Sequence, residues 1–252
     1  MAAQLTQKQL VDYLYQFDGM HANSRADFTN YPSGAISDFT GLDFSYLSCL
    51  SADFVNPSKF NNCRFVSTTL SNAALGGTNS NNLSDFTGAY LQYVNSMSPL
   101  AEIRTSLNYC NFQNATIIDS DFSNDSFTGT YFDAATIVRN NFVHAVFSNA
   151  KFYPLTVVRD CDFTHANFNA TEFDGTTFNN CDFKGVRFIN CNYKNVTFIN
   201  CNLVGAEFDW GTPANLYVVF VENCNVEQSK IPTHANVQVF YVNTPINKVI
   251  QF

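Results

Sequence analysis

Residues 161–185 read CDFTH ANFNA TEFDG TTFNN CDFKG, with a phenylalanine at the third position of every five-residue block. The period continues toward the C-terminus, where every fifth position remains aromatic or aliphatic: Phe188, Tyr193, Phe198, Leu203 and Phe208. It also extends toward the N-terminus, from Val157 back to Phe112, with one residue inserted between Val157 and Phe163. These positions are Phe112, Ile117, Phe122, Phe127, Phe132, Ile137, Phe142, Phe147, Phe152 and Val157.

The first part of the chain keeps the same period in shifted phases, for example at Phe39, Phe44 and Phe60, Phe65. All but four of the 26 Phe residues lie on the five-residue lattice, and the exceptions are Phe17, Phe220, Phe240 and Phe252. A fixed internal period over most of a chain is typical of solenoid architectures, in which each repeat packs only against its neighbours.

A period of five matches neither the 3.6 of a helix nor the 2.0 of a strand, so each block must contain its own turn. Gly or Asn recurs two residues after the large apolar position, and both tolerate the positive φ of a tight turn. A small residue lies two positions before the large apolar residue. On an extended segment side chains two positions apart point the same way, so both point inward. The residue between them points outward and is polar: Asp38, Asp43, Asp53, Asp85, Asn111, Asp121, Asp162, Asp182, Asn192 and Asn202.

These blocks resemble the pentapeptide-repeat family, whose motif is a small residue, Asp or Asn, Leu or Phe, and two polar residues. Ala26-Asp27-Phe28-Thr29-Asn30 and Cys181-Asp182-Phe183-Lys184-Gly185 carry the resemblance, which covers about residues 26–208. It implies an all-β fold, a right-handed quadrilateral β-helix of about eight coils with four blocks per coil.

The segments outside the repeats are predicted to close the two ends of the solenoid. Residues 1–25 predict a helical cap, in which Thr6 is the N-cap and Gln9 completes a capping box. Residues 209–252 carry two strand-like runs, Leu216–Val221 and Val237–Val242. This C-terminal segment is either a second cap or a homodimer interface, since related pentapeptide-repeat proteins often dimerise through this end.

The lattice assigns the phenylalanines and most of the eight cysteines to the core. Seven cysteines occupy the small inward position and Cys49 occupies a large one, so we expect eight unbridged, structural thiols and a reducing compartment. The core residues singled out here are Phe112, Phe122, Phe163, Phe183, Cys161, Cys181 and Cys201.

No residue pattern indicates catalysis, a cofactor or a metal. The four His residues are far apart in the sequence and belong to no recognised motif. The recurring outward Asp residues could form carboxylate pairs, but a strict five-residue period leaves little room for a cleft. We interpret them as bonding the turn backbone and keeping the walls hydrated, and we predict that the protein is not an enzyme.

The charge pattern excludes some partners and suggests others. A formal net charge of −8 argues against direct nucleic-acid binding, and no apolar run is long enough to span a membrane. The N-terminus lacks a signal-peptide profile, so we expect a cytoplasmic location. The acidity is concentrated in residues 1–135, where the repeats are also interrupted near 76–84 and 92–106. The second interruption is either a tolerated bulge or a projecting contact loop.

Two function classes fit these observations. The resemblance extends to the quinolone-resistance branch of the family, which implies an acidic rod that imitates DNA and binds DNA gyrase or another topoisomerase. The alternative is an interaction scaffold, such as a secreted bacterial effector or a phage or host assembly factor, with no topoisomerase link. In either case the candidate contact residues are Tyr93, Met97 and Leu100 in the loop and Asp38, Asp43, Asp53 and Asp85 on the rod.

Overall fold

The computed structural model describes residues 5–16, 26–28, 37–54, 57–70, 73–77, 83–92, 94, 105–211, 213, 215–246 and 249. These residues form a β-solenoid with one short helix, which confirms the expected fold class. Its elements are α1 (Gln7–Tyr15), β1 (Arg64–Val66), β2 (Ser84–Asp85), β3 (Tyr90–Gln92), β4 (Cys110–Asn111), β5 (Thr116–Ile118), β6 (Thr136–Val138), β7 (Lys151–Phe152), β8 (Val157–Arg159), β9 (Asn167–Asn169), β10 (Glu172–Phe173), β11 (Thr177–Asn179), β12 (Arg187–Ile189), β13 (Val196–Ile199), β14 (Glu207–Phe208), β15 (Tyr217–Glu222) and β16 (Val237–Val242).

Outward residues of successive coils stack in register and define four walls. The long-sheet wall carries the nine-stranded parallel sheet, in the order β1-β3-β5-β6-β8-β11-β13-β15-β16. The other three walls are named by a residue of their outward column. The Asp27 wall runs through Asp27, Asp53, Ala74, Ser106, Ser126, Val146, Asn167, Arg187, Glu207 and Lys230. The Asp38 wall runs through Asp38, Lys59, Asp85, Asn111, Tyr131, Lys151, Glu172 and Asn192, and the Asp121 wall through Asp121, Asn141, Asp162, Asp182, Asn202 and Asn225.

The corners between walls have the backbone geometry that the Gly and Asn positions predict. Asn180 has a φ of 54° and Gly185 a φ of 65°, both in the left-handed region. At several corners a backbone hydrogen bond closes the turn, as where the Ala166 N–H donates to the Phe163 carbonyl at 2.8 Å. Each block is therefore a short extended segment followed by a tight turn.

The core is a set of stacked aromatic columns, one ring per coil. Phe163 and Phe183 lie 5.0 Å apart between ring centroids and are nearly parallel, and Phe112 and Phe122 stack in the same way on Phe132 and Phe142. Phe112, Phe122, Phe163 and Phe183 are fully buried. Such offset or parallel ring contacts stabilise the core beyond the burial of apolar area.

All eight cysteines are free and buried. Cys161, Cys181 and Cys201 lie beneath the Asp121 wall, and the Cys201 N–H donates to the Cys224 sulfur at 3.3 Å. Burial raises the pKa of Cys49 and of Cys191 to about 12, so these thiols hold their protons at neutral pH.

The helix α1 closes the N-terminal end. Its capping box is present, with the Thr6 hydroxyl accepting from the Gln9 N–H and the Gln9 side chain accepting from the Thr6 N–H. Leu10 and Leu14 are buried against the first coil, and the Tyr13 ring contacts Phe28 edge-on at 5.1 Å. The helix covers apolar side chains that would otherwise face water.

At the C-terminal end the ladder continues beyond residue 208, where the five-residue period stops. β13 pairs with β15 and β15 with β16, all parallel. The coil count differs slightly from the expected eight. Trp210 is buried beside Tyr193 and donates its indole N–H to the Pro232 carbonyl. The division into segments 1–25, 26–208 and 209–252 remains a prediction.

Candidate binding surfaces

The predicted contact residues on the rod do not share one wall. Asp38 and Asp85 belong to the Asp38 wall, where Lys59 lies between them in register. Burial alone would raise the pKa of Asp38, but hydrogen bonds from Thr40 and the charge of Lys59 lower it on balance. The stacking therefore offsets much of the negative charge that the sequence places here.

Asp43 and Asp53 lie on two further walls. The Asp43 carboxylate is 4.0 Å from the Arg64 guanidinium on the long-sheet wall. Asp53 stacks on Asp27 on the Asp27 wall. The loop residues Tyr93, Met97 and Leu100 lie outside the described residues, so their role as contacts remains a prediction.

The outward Asp and Asn side chains perform the turn-bonding role expected of them. Most of them accept the backbone N–H two residues later, as Asp38 does from Thr40 at 3.1 Å and Asp182 from Lys184 at 2.8 Å. Asn192 and Asn202 make the same contact. Since Asn and Asp are interchangeable in this contact, the fold itself does not require a negative charge at these positions.

Acid and base alternate on the Asp27 and Asp38 walls in the second half of the chain. Glu172 pairs with Lys151, and Glu207 lies between Arg187 and Lys230. The hydrogen bond from Lys230 and the charges of Lys230 and Arg187 lower the pKa of Glu207. These exposed pairs contribute little individually to stability, and they leave both walls nearly neutral.

The Asp121 wall differs because its column contains no basic residue from Asp121 to Asn225. The column contains only acids and amides, and Asp162 and Asp182 follow each other in register. Asn141 donates to the Asp121 carboxylate at 3.1 Å, and Asn202 donates to Asp182 at 3.0 Å. This wall was not singled out from the sequence, because its acidity is evident only when residues one coil apart are aligned.

The long-sheet wall ends in an exposed apolar patch. Phe220 and Phe240, two of the phenylalanines that leave the five-residue lattice, point outward and stack at 5.2 Å between ring centroids. They are 40% and 44% exposed, and Val242 beside them is 42% exposed. β16 is the last strand of the sheet, and its outer edge meets no other strand among the described residues.

Two histidines that are distant in sequence meet at one corner. His144 and His165 stack at 5.3 Å between ring centroids, with an angle of 17° between the rings. Both are exposed and lie at the corner between the Asp121 and Asp27 walls. These two histidines, although far apart in the sequence, are therefore neighbours in the structure.

Two open hollows of about 400 and 380 Å³ lie toward the C-terminal end of the Asp121 wall. Asn223 and Asn225 line both, Glu227 and Asn243 complete the first, and Lys184 and Asn200 the second. Val226 and Pro245 add apolar side chains to the first lining, and Val204 adds one to the second. That the protein is not an enzyme remains a prediction.

Comparison with known proteins agrees with this geometry. The family model described as pentapeptide repeat region matches residues 158–231. The chain contains a pentapeptide-repeat region. This region extends from β8 to beyond β15, through the most regular part of the solenoid.

Solved pentapeptide-repeat proteins are similar in structure. HetL, involved in heterocyst differentiation regulation in the cyanobacterium Nostoc, is 11% identical, with 100% of this chain and 97% of HetL covered and a TM-score of 0.37. QnrB1, a plasmid-mediated fluoroquinolone resistance protein, is 16% identical, with 83% of this chain and 93% of QnrB1 covered and a TM-score of 0.47. A search of curated protein sequences gives no match.

Among the described residues of the pentapeptide-repeat solenoid, no helix has the length and apolar character needed to cross a membrane.

Proposed function

We propose that this chain is a non-catalytic binding protein whose acidic Asp121 wall engages a basic protein surface that normally binds DNA. DNA gyrase or a related topoisomerase is the first candidate partner. Outward side chains of successive coils are in register, at intervals of about 4.8 Å. The Asp121 wall concentrates negative charge along such a column.

The observation that carries the proposal is the succession of Asp162 and Asp182 in the Asp121 column. Like charges placed directly opposite each other on neighbouring strands destabilise a sheet. Asn141 and Asn202 occupy equivalent positions in the same column without this cost. A negative column that the fold does not need is therefore best explained by a partner that carries positive charge.

The Asp121 wall adds to the contact residues inferred from the sequence. Asp38, Asp43, Asp53, Asp85 and the loop 92–106 remain part of the proposal, with Tyr93, Met97 and Leu100 as apolar anchors. The two groups of residues should contribute differently to binding. The charges of Asp38, Asp43 and Asp85 are offset by Lys59 and Arg64, whereas the Asp121 column contains no basic residue.

A supercoiling assay with purified gyrase tests this proposal. The chain is titrated at two salt concentrations, alone and with a quinolone, because attraction between opposite charges weakens as salt screens it. The triple variant Asp121→Asn, Asp162→Asn, Asp182→Asn keeps the turn contacts and removes three charges. A matched variant with Asp38→Asn and Asp85→Asn removes charge beside Lys59, and a third variant lacks residues 92–106.

We expect salt-dependent inhibition or drug protection by the intact chain, with a loss of at least about tenfold in the triple variant. A loss of inhibition or drug protection that is confined to the other two variants would indicate that the contact lies in the first half of the rod. No effect of the intact chain at either salt concentration would favour the scaffold function with a different partner.

A second proposal concerns assembly: two copies associate through the C-terminal end. β16 is an uncharged strand, Val-Gln-Val-Phe-Tyr-Val, at the edge of a long sheet. An apolar edge strand is a template for pairing with another chain. Pairing β16 with its symmetry copy would place two such edges against each other and close the assembly as a dimer.

A further inference from the structure

The stacked pair His144 and His165 is a feature that neither the repeat nor the proposed partner surface uses. The two residues are 21 positions apart, which equals one coil of four five-residue blocks plus the single residue inserted after Val157. Their rings lie 5.3 Å apart at the corner that follows the Asp121 wall. Both side chains are exposed to solvent.

The backbone fixes both histidines in the same orientation. Their φ angles are 59° and 56°, in the left-handed region. The His144 N–H donates to the Thr164 carbonyl, and the His165 N–H donates to the Lys184 carbonyl, both at 3.0 Å. The backbone of each histidine is therefore fixed in register with the next coil. Folding has already brought the two ligands close together, which lowers the entropy cost of binding one ion with both.

The next coil leaves room for the pair. Gly185 occupies the same corner one coil above His165, and a Cβ atom there would lie 2.6 Å from the His165 ring. The absence of a side chain at Gly185 allows the His165 ring to extend over this corner. Of the two walls that meet at this corner, the Asp121 wall carries Asp162 and Asp182, and the Asp27 wall carries Arg187.

We propose that His144 and His165 form a surface site for a late first-row divalent transition ion, with Cu²⁺ bound most tightly. Imidazole nitrogens suit Cu, Ni and Zn, and affinity rises to a maximum at Cu²⁺. In the stacked arrangement the ring nitrogens lie in nearly parallel planes. Both side chains are exposed, so a change of rotamer can turn one nitrogen of each ring toward a shared ion bound at about 2.0–2.1 Å.

Water completes the coordination in this site. Among the described residues, no group of three or more His, Cys, Asp or Glu side chains is arranged to hold a metal. A two-histidine chelate with open positions is therefore an exchangeable site and not a structural one. It requires both imidazoles to be neutral, so binding weakens in acid.

Titration of the tag-free protein with Cu²⁺ alone, followed by electron paramagnetic resonance, tests the proposal. The variants are His144→Asn and His165→Asn, because Asn is well tolerated at left-handed corner positions such as Asn190 and Asn195. The matched control is His234→Asn, which changes another exposed histidine far along the chain. Circular dichroism melts establish that each variant is folded.

We expect one tight equivalent of Cu²⁺ with hyperfine coupling to two imidazole nitrogens. Either corner variant should show coupling to at most one nitrogen and bind at least about tenfold more weakly, whereas the control should match the wild type. Adventitious binding only, seen as equal affinity in all four proteins or as coupling to one nitrogen in the wild type, would overturn the proposal.

Discussion

The side-chain carboxamide of Gln7 pairs with both backbone groups of Asp43. The Gln7 Nε2 donates to the Asp43 carbonyl at 2.6 Å, and the Asp43 N–H donates to the Gln7 Oε1 at 2.8 Å. One side chain thus supplies the donor and the acceptor that a preceding coil would supply. The Tyr13 hydroxyl does the same for Asp27, accepting from its N–H and donating to its carbonyl.

Replacing Gln7 should loosen the first coil. Gln7→Ala leaves two backbone groups of Asp43 to water, and we expect a loss of about 0.5–1.5 kcal/mol in the free energy of unfolding. Lys8→Ala is the matched control on the same helix, since it removes only an exposed pair with Asp12 worth about 0.3–0.5 kcal/mol. Urea melts measure both, and equal effects would show that the carboxamide contact contributes nothing specific.

The inward and outward positions of one block should differ strongly in their tolerance of change. Phe183→Ala removes a fully buried ring that stacks on Phe163, and we expect a cost of about 3–5 kcal/mol. Asp182→Ala removes contacts to Lys184 and Asn202 at the surface and should cost about 1 kcal/mol. Equally mild effects in denaturant melts would contradict the assignment of inside and outside.

The period of five makes the walls and corners predictable, because each block must turn at Gly or Asn and bury its central ring. It does not predict which outward residues share a wall. Tyr90 pairs with Arg64 and Thr116 pairs with Tyr90, each across 26 residues, whereas Thr197 pairs with Thr177 across 20. Asp38, Asp43 and Asp53 precede these longer coils and lie on three walls because they are one and three blocks apart, and each block turns onto the next wall.

Two surface features could have been found from the sequence by counting whole coils. His144 and His165 each follow a lattice phenylalanine by two residues, so inclusion of the single inserted residue places them in register. In β15 and β16 the side chains alternate between the two faces of the sheet, and Phe220 and Phe240 lie at outward positions. The inward positions beside them are Val219, Val221, Val239 and Tyr241. By contrast, the contacts of Gln7 with Asp43 depend on the angle at which α1 docks, and no pattern encodes that angle.

The thiols should be inaccessible in the native protein. All eight cysteines are free and buried, and burial raises the pKa of Cys49, Cys63 and Cys191 to about 12. We expect no reaction with a thiol reagent at pH 8 under native conditions and eight modified thiols after unfolding without reductant. Mass spectrometry counts the modifications, and fewer than eight in the unfolded, unoxidised protein would indicate a disulfide.

The same thiols predict a loss of stability in alkali. The folded pKa of Cys49, Cys63 and Cys191 is raised above the unfolded value, so the unfolded chain releases these protons first. The stabilisation is complete below about pH 8.5 and is lost as the pH rises toward the folded value of about 12 for Cys191. Urea midpoints from pH 8 to 11 should fall, and more gently in Cys191→Ala. An identical slope in the variant would exclude a contribution from this thiol.

The last prediction concerns self-association through β16. Phe240→Asp replaces an apolar ring of the exposed patch formed with Phe220 and Val242, and we expect it to weaken the proposed dimer by at least about tenfold, because it removes apolar contact beside the paired edges and brings two like charges close together. Thr177→Asp is the matched control, since Thr177 lies in the same outward column of the long-sheet wall, three strands earlier. Sedimentation over a concentration series measures the dissociation constants. A wild-type chain that stays monomeric at its highest soluble concentration, or equal weakening by both substitutions, would contradict pairing at this edge.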